Sequence, residues 1–542
     1  MLHVLVILML AAIAVHDVVV RDSAALGRHS EGAAGWWTLT VVIVPLMVLS
    51  TLAWLVCRAA GTFLDYGRGR ALLTAERTNS AARVGAVCLH AANVLVFGWL
   101  DLVRSVIGDV VVIDELMAIT PPLLVFFATW AAQYPLEKRV RDAVTLRQLD
   151  AGCTVYPMPS RWQFVLGNFR HQVLLSLVPI TMLLAWAEGA ERSLDWLASH
   201  RGAASGVLAW LGGVASDQST RSSALLAVQF IGVGVVLSVA PLAMRFVWDT
   251  VRLSPGPLRE RLIGMCEQHN VGVRELLVWR THGSMINGAV MGLWGQLRYI
   301  LLTDALLDSL PRQQVEAVMA HELGHVRHRH VVWLAGVLIA SLLGLSLVAS
   351  VALWAWASVI PMARAGQWGG NVAPFPGAAW AIGELGLELG SAAAMLGGTL
   401  CIFAFVSRRF EWQADAFAAM HLSTPGALGP PPAAQVTAVT EDGVAAEARE
   451  KGEQGAGLVL PEAVAAMAGA LGAVSRLNSI PLERGSFRHG SLGVRIRKLR
   501  RLAGVSAGKM PIDRTVRRIK IATLVTGVLV GAVLCAATWY GL

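Results

Sequence analysis

His321 and His325 stand four residues apart in the sequence HELGH at 321–325. On a helix that spacing puts both imidazoles on one face, one above the other. Two imidazoles so placed can fill two corners of a tetrahedral zinc site. Glu322 lies beside them as a general base for an attacking water. A third ligand is offered downstream by SRRFEWQADAFA at 407–418, where Glu411 and Asp415 are again four apart and share a helix face. Two histidines and one glutamate leave one position of a tetrahedron open, the pattern of a catalytic zinc. Asp415 fits the role of a carboxylate that takes the outer N–H of a ligand histidine and so fixes its tautomer. The bland alternatives are a buried helix with hydrogen-bonded histidines, and solvated helical carboxylates. The company of the two motifs is what makes zinc-assisted hydrolysis the sharper reading.

These side chains need elements to hold them. Pro311 suits a first helical turn, and VEAVMA leads into HELGH with good helix formers. LLVWRT at 276–281 and LRYILLT at 297–303 read as strands of a small sheet above that helix. Residues 462–477 read as an Ala-rich helix. Between the motifs, 422–460 is rich in Pro, Gly, Ala and Glu and poor in large apolar residues, so a flexible insertion is expected there. It is either a lid or cleavage site, or an insertion tolerated because long loops cost little. His328 and His330 break the four-residue step and read as polar residues at a membrane entry, not as ligands.

HELGH, two apolar stretches and then SRRFEWQADAFA together resemble the integral-membrane zinc metallopeptidases that include the HtpX protease and the CAAX prenyl protease. MINGAVMG at 285–292 resembles that family's strand ahead of the zinc helix. RHGSLGVRIRKL at 488–499 resembles its C-terminal His-Pro-x-x-x-x-Arg-Ile segment, with Gly490 where proline is usual. The resemblance covers about 245–500. It implies one zinc per chain, bound by His321, His325 and Glu411, with Glu322 activating water. It implies that Asn287, with Gly288 beside it, lies on an edge strand that pairs with an extended substrate. It also implies that His489 and Arg495 hold the substrate carbonyl or the developing oxyanion. For Arg495 the alternative is a basic helix beside a membrane, which the run RIRKLRR would equally suit.

Composition sets the surroundings. The chain is 55% hydrophobic and 15% charged, against roughly 25% charged in soluble domains. Apolar stretches of bilayer-spanning length are read near 36–57, 84–100, 116–132, 172–187, 223–244, 331–359, 389–406 and 521–541. Residues 2–20 are either a first span or a signal-like segment; the missing basic start favours a retained span. Residues 204–215 are too short to span. Loop charges alternate. Residues 58–83 hold five basic against two acidic residues, 101–115 one against four, 133–171 six against three, and 188–222 three against four. By the positive-inside rule, both halves of the zinc site then fall on the cytoplasmic side. The net charge of +9 flanks spans, as in RTVRRIK at 514–520, and no nucleic-acid motif accompanies it. The six cysteines form no CxxC and read as small apolar residues without disulfides.

The expected fold class is a mainly α, polytopic membrane protein of about 8–9 transmembrane helices, with a split cytoplasmic zincin-like α+β metallopeptidase domain. It comprises a multi-span region at 1–244, a first catalytic segment at 245–330, a transmembrane hairpin at 331–406, a second catalytic segment at 407–520 and a last helix at 521–542. The expected function is zinc-dependent endopeptidase action on membrane-associated or misfolded protein substrates, or CAAX-type C-terminal processing. The expected setting is the lipid bilayer of a bacterial inner membrane, with the active site cytoplasmic and no nucleic-acid partner. Oligomeric state is left open. A zinc-protease signal transducer cleaving a repressor would need a large outward sensor, and the outer loops are short. A transporter would carry ionisable residues mid-span, whereas Asp101, Asp114, Glu115 and Glu388 fall at span ends or in loops.

Overall fold

The computed structural model describes residues 2–17, 33–67, 69–150, 158–200, 205–283, 285–364, 377–424, 457–478, 480–506 and 510–540. Most of the expected insertion at 422–460, namely 425–456, lies outside the described residues, as do Cys153 and the tip of the hairpin at 365–376. The chain divides into two compact units, Met1–Val251 and Arg252–Leu542.

The first unit is helical. Among the described residues, Gly35–Asp65, Ile113–Ala143, Arg161–Ser199 and Thr220–Val247 are long and apolar enough to cross a membrane. The helix Leu2–Val15 has 14 residues, short of the roughly 20 needed to span. Val207–Ser216 is shorter still. The continuous span expected at 84–100 does not form. A helix Arg70–Leu95 instead meets Trp99–Ile107 at a bend of 69°. Gly98 makes the turn at φ +65°, a conformation that suits a residue without Cβ. The longer arm buries Asn79, Arg83, His90 and Asn93. Arg83 donates from Nε to Thr129 Oγ1 at 2.8 Å, so its charge is held by a neighbouring helix and not by solvent.

The boundary falls within a short strand β1 (Thr250–Arg252), after which the second unit continues with helix α1 (Pro257–Gln268), β2 (Glu275–Trp279), β3 (Gly288–Met291) and β4 (Tyr299–Thr303). The sheet order is β1-β2-β4-β3, with β2 parallel and β3 antiparallel to β4. Every residue of β4 is buried, as its continuous apolar run requires. Thr303 caps the following helix α2 (Asp304–Ser309) by accepting from Leu306 N–H. The zinc-motif helix α3 (Arg312–Arg327) comes next. Leu262, Ile300, Leu306 and Leu323 are fully buried in one core shared by α1, the sheet, α2 and α3.

Two long helices, α4 (His330–Arg364) and α5 (Gly377–Leu422), pack on each other and carry the segments His330–Ala355 and Gly390–Leu422 that qualify as membrane spans. The total among the described residues is six, or seven if the bent pair counts as one span. The remaining helices are α6 (Pro461–Leu477), α7 (Leu492–Arg500) and α8 (Pro511–Tyr540). A two-stranded hairpin, Gly485–Ser486 with Gly490–Ser491, leads into α7. The last helix starts ten residues before the apolar stretch read at 521–541, taking in the basic run.

Candidate metal centre

Leu323 and Gly324, between the candidate base and the second histidine of HELGH, have packing roles. Leu323 is fully buried in the core. Gly324 lies against α5: a Cβ there would stand 3.1 Å from Ala414 Cα and 3.2 Å from the Phe417 ring. The missing side chain lets α5 approach closely enough to bring Glu411 and Asp415 to the histidines. A separation of about 90 residues in sequence is closed by one helix–helix contact.

His321 Nε2 and His325 Nε2 are 3.2 Å apart. Glu411 places Oε2 3.6 Å from His321 Nε2 and Oε1 3.6 Å from His325 Nε2. A tetrahedral zinc with bonds of roughly 2.0–2.1 Å has ligand atoms about 3.3 Å apart, so the two imidazole nitrogens, each with one oxygen of the Glu411 carboxylate, lie close to that spacing. The ligand atoms of His321, His325 and Glu411 all fall within 4.8 Å of one another, the one such group among the described residues. Lone-pair atoms turned toward each other in a buried site need a cation or a proton between them. Two imidazoles and a carboxylate are a donor set that zinc accepts.

Asp415 Oδ1 lies 3.0 Å from His321 Nδ1. The carboxylate can only accept, so Nδ1 carries the hydrogen and Nε2 keeps its lone pair. Arg495 holds that carboxylate with two donors, Nε to Oδ2 at 2.8 Å and Nη2 to Oδ1 at 2.6 Å. Its Nη1 is 2.9 Å from Glu411 Oε2. Arg495 is buried on α7 and spends its guanidinium on the acidic pair. His489 stands beside Glu411 with Nδ1 at 2.9 Å from Oε1, and its side chain is 52% exposed. Of these two basic residues, the histidine is the one on the open side.

Gly490, where the resemblance leads one to expect proline, has φ +71°. Proline is locked near −65° and cannot adopt that conformation, so the hairpin entering α7 follows a backbone course of its own. Asn287 directs its backbone inward. Its N–H donates to Thr303 Oγ1 at 3.0 Å, and its carbonyl accepts from Thr303 N–H at 3.1 Å. In an antiparallel ladder alternate residues face the partner strand, so Gly288 and Val290 are the ones whose N–H and C=O groups face the open edge of β3.

The charge states follow from the burial. Burial disfavours a charged His321, but the Asp415 and Glu411 carboxylates outweigh it and push its pKa up to about 9. Burial, aided by the neighbouring His321 charge, holds His325 well below the ordinary range. Glu322 is raised by burial, against the pull of His321, the direction expected of a proton acceptor working near neutral pH.

Residues 270–502 match peptidase family M48. The matched segment carries both halves of the site, from β2 to α7. A protease HtpX homolog of Aeropyrum pernix is 30% identical over 222 residues, 40% of this chain and 61% of its own length. A protease HtpX homolog of Desulfatibacillum aliphaticivorans is 32% identical over 130 residues, 24% of this chain and 37% of its own. The chain thus spans about three-fifths or less of these curated relatives. A crystal structure of S. mikatae Ste24p aligns over 87% of this chain and 100% of its own, at 13% identity and TM-score 0.39, a likeness too loose to add to the fold.

Two further residues, unmarked in the sequence, stand next to the centre. His330 opens the apolar segment His330–Ala355 and is not one of the three grouped donors, as read from the sequence; beyond that reading it is fully buried, with Nδ1 2.9 Å from His325 Nδ1. A residue five positions on would point about 140° away on an unbroken helix. The helix breaks at Arg329, φ +55°, and the new helix brings His330 back onto His325. Gln413, two residues after Glu411, accepts from His330 Nε2 at 2.9 Å. No local pattern marks either role. The signal that could have been read is a third histidine adjoining a helix that must end before a membrane span.

Proposed function

We propose that this chain is a membrane-embedded, zinc-dependent metalloendopeptidase. It hydrolyses peptide bonds of membrane-associated or misfolded proteins at the cytoplasmic face. The observation that carries the reading is the convergence of His321 Nε2, His325 Nε2 and a Glu411 carboxylate at tetrahedral-edge distances, with Glu322 on the same helix turn. When bound, zinc would polarise the scissile carbonyl and make water acidic enough to attack at neutral pH. Glu322 takes the proton from that water and delivers it to the leaving amine. The outward groups of Gly288 and Val290 on β3 pair with the substrate backbone and lay it across Glu322. Pairing through main-chain groups selects for extended, unfolded chain over a particular side-chain sequence, which favours damaged proteins as substrates. His489, exposed beside Glu411, donates to the oxygen that gains charge in the transition state. Arg495 holds Glu411 and Asp415 in place.

The cytoplasmic assignment is supported by the alternating loop charges. The test is proteolysis of casein by the full chain in detergent, compared with Glu322→Gln, each with and without a zinc chelator. Activity that disappears on chelation, returns with zinc and falls by roughly 10²–10⁴-fold in Glu322→Gln supports the reading. Full activity in Glu322→Gln removes Glu322 from the mechanism.

A further inference from the structure

His325 has a second ring nitrogen, and what it touches is specific. Its Nδ1 faces Nδ1 of His330 at 2.9 Å. His330 Nε2 faces Gln413 Oε1 at 2.9 Å, and Gln413 Nε2 donates to Asp513 Oδ1 at 2.5 Å. The His330 ring is fixed in plane by stacking on Phe410, with centroids 4.3 Å apart and 8° between planes. Phe410 adjoins Glu411, and Asp513 lies in the first turn of α8.

The direction of every hydrogen in this chain of contacts is set from its far end. A carboxylate only accepts, so the amide nitrogen of Gln413 must turn to Asp513 and its oxygen to His330. His330 Nε2 must then carry the hydrogen. A neutral, buried imidazole with hydrogen on Nε2 has a lone pair on Nδ1. That lone pair can only be met by N–H on His325 Nδ1, which leaves the His325 Nε2 lone pair free beside His321 Nε2 and Glu411.

We infer that His330 is a positioning residue for the metal centre: with Gln413 and Asp513 it locks His325 in the tautomer that can bind metal. The inference rests on the zinc reading above. The two ligand histidines are then held by different means. His321 meets a carboxylate directly, through Asp415. His325 reaches one three groups away, on a different helix. Because Asp513 belongs to α8, the last helix is tied by hydrogen bonds to a zinc ligand, and the metal centre is sensitive to where that helix sits. Outer partners of this kind are typically worth about 10–100-fold in metal affinity.

The experiment uses the full chain in detergent, stripped of metal, with zinc titrated against a chromogenic chelator. Three variants are compared with wild type: His330→Phe, His330→Asn and Asp513→Ala. Phenylalanine keeps a ring to stack on Phe410 but offers no acceptor, so binding should weaken about 10–100-fold. Asparagine presents an amide oxygen near the position of Nδ1 and should recover most of that loss. Asp513 is exposed, so its removal should leave the unfolding temperature of the metal-free protein unchanged. It should still weaken zinc binding a few-fold, because the Gln413 amide is then free to turn the wrong way. Should His330→Phe fail to fold, Asp513→Ala decides alone. Wild-type affinity in both His330→Phe and Asp513→Ala overturns the inference. So does equal weakening by phenylalanine and asparagine, which would assign the effect to ring packing. Wild type that binds no zinc overturns the zinc reading itself, a result distinct from either.

Discussion

Gly288 lies directly over Glu322. A Cβ at Gly288 would stand 2.8 Å from Val318 Cγ1 and 3.4 Å from Glu322 Cγ. The edge strand therefore crosses the general base with no side chain between them, and a substrate strand added to that edge is delivered at the height of the carboxylate.

Gly288→Ala should accordingly push β3 away from α3. Overpacking of this sort costs roughly 1–3 kcal/mol, and some of it will appear as a displaced strand. The expected outcome is a fall in kcat/KM of at least about tenfold with zinc content unchanged, since a misplacement of about 1 Å can cost 10²-fold. Parallel casein assays and metal analysis check it. Wild-type kcat/KM in this variant would show that the strand does not deliver substrate to Glu322.

Asp415 is the shared anchor of His321 and Arg495, and all three are buried. Asp415→Asn should loosen His321 and leave Arg495 with Glu411 as its one charged partner among these contacts. Zinc affinity should drop by about 10–100-fold. Stability should fall by about 3–5 kcal/mol, the usual penalty for breaking a buried ion pair from one side. Denaturant unfolding of the metal-free protein, with zinc titration in parallel, separates the two effects.

His269 ends α1 and meets His421 of α5 through Nε2 and Nδ1 at 2.7 Å, with Phe417 packed against its ring. Burial lowers the His269 pKa below its ordinary value, and the nearby Arg327 adds to this. The folded pKa is the lower one, so the unfolded chain binds the extra proton first. Stability from this contact is fully present above about pH 6.5 and is lost as pH falls through the folded pKa. Thermal unfolding of the metal-free protein between about pH 5 and pH 7.5 should show a shallower acid loss in His269→Gln than in wild type. Identical slopes would mean that His269 is equally protonated in both states.

Much of the candidate site is legible in the sequence because helix periodicity is local. His321 with His325, and Glu411 with Asp415, are each one helical turn apart, and one turn determines one face whatever the rest of the chain does. The strands at 276–281 and 297–303, the Ala-rich helix at 462–477 and most of the apolar spans are legible for the same reason: a period or a composition is contained within the segment. The features decided by tertiary structure are those in which distant segments or single backbone torsions set the outcome. Arg495 looks like one more basic residue of RIRKLRR until α7 buries it against Asp415, 80 residues away. The span expected at 84–100 bends because Gly98 adopts a left-handed torsion, and the helix before it buries polar side chains that hydropathy alone would leave to solvent. His330 joins His325 only because the backbone breaks at Arg329, and Gln413 joins Asp513 across 100 residues of chain. The amino-acid sequence by itself determined which donors are available and which pairs share a face. Packing of α3, α4, α5, α7 and α8 decided which of those donors meet, because contact between remote residues depends on helix approach and torsion, neither of which has a period to read.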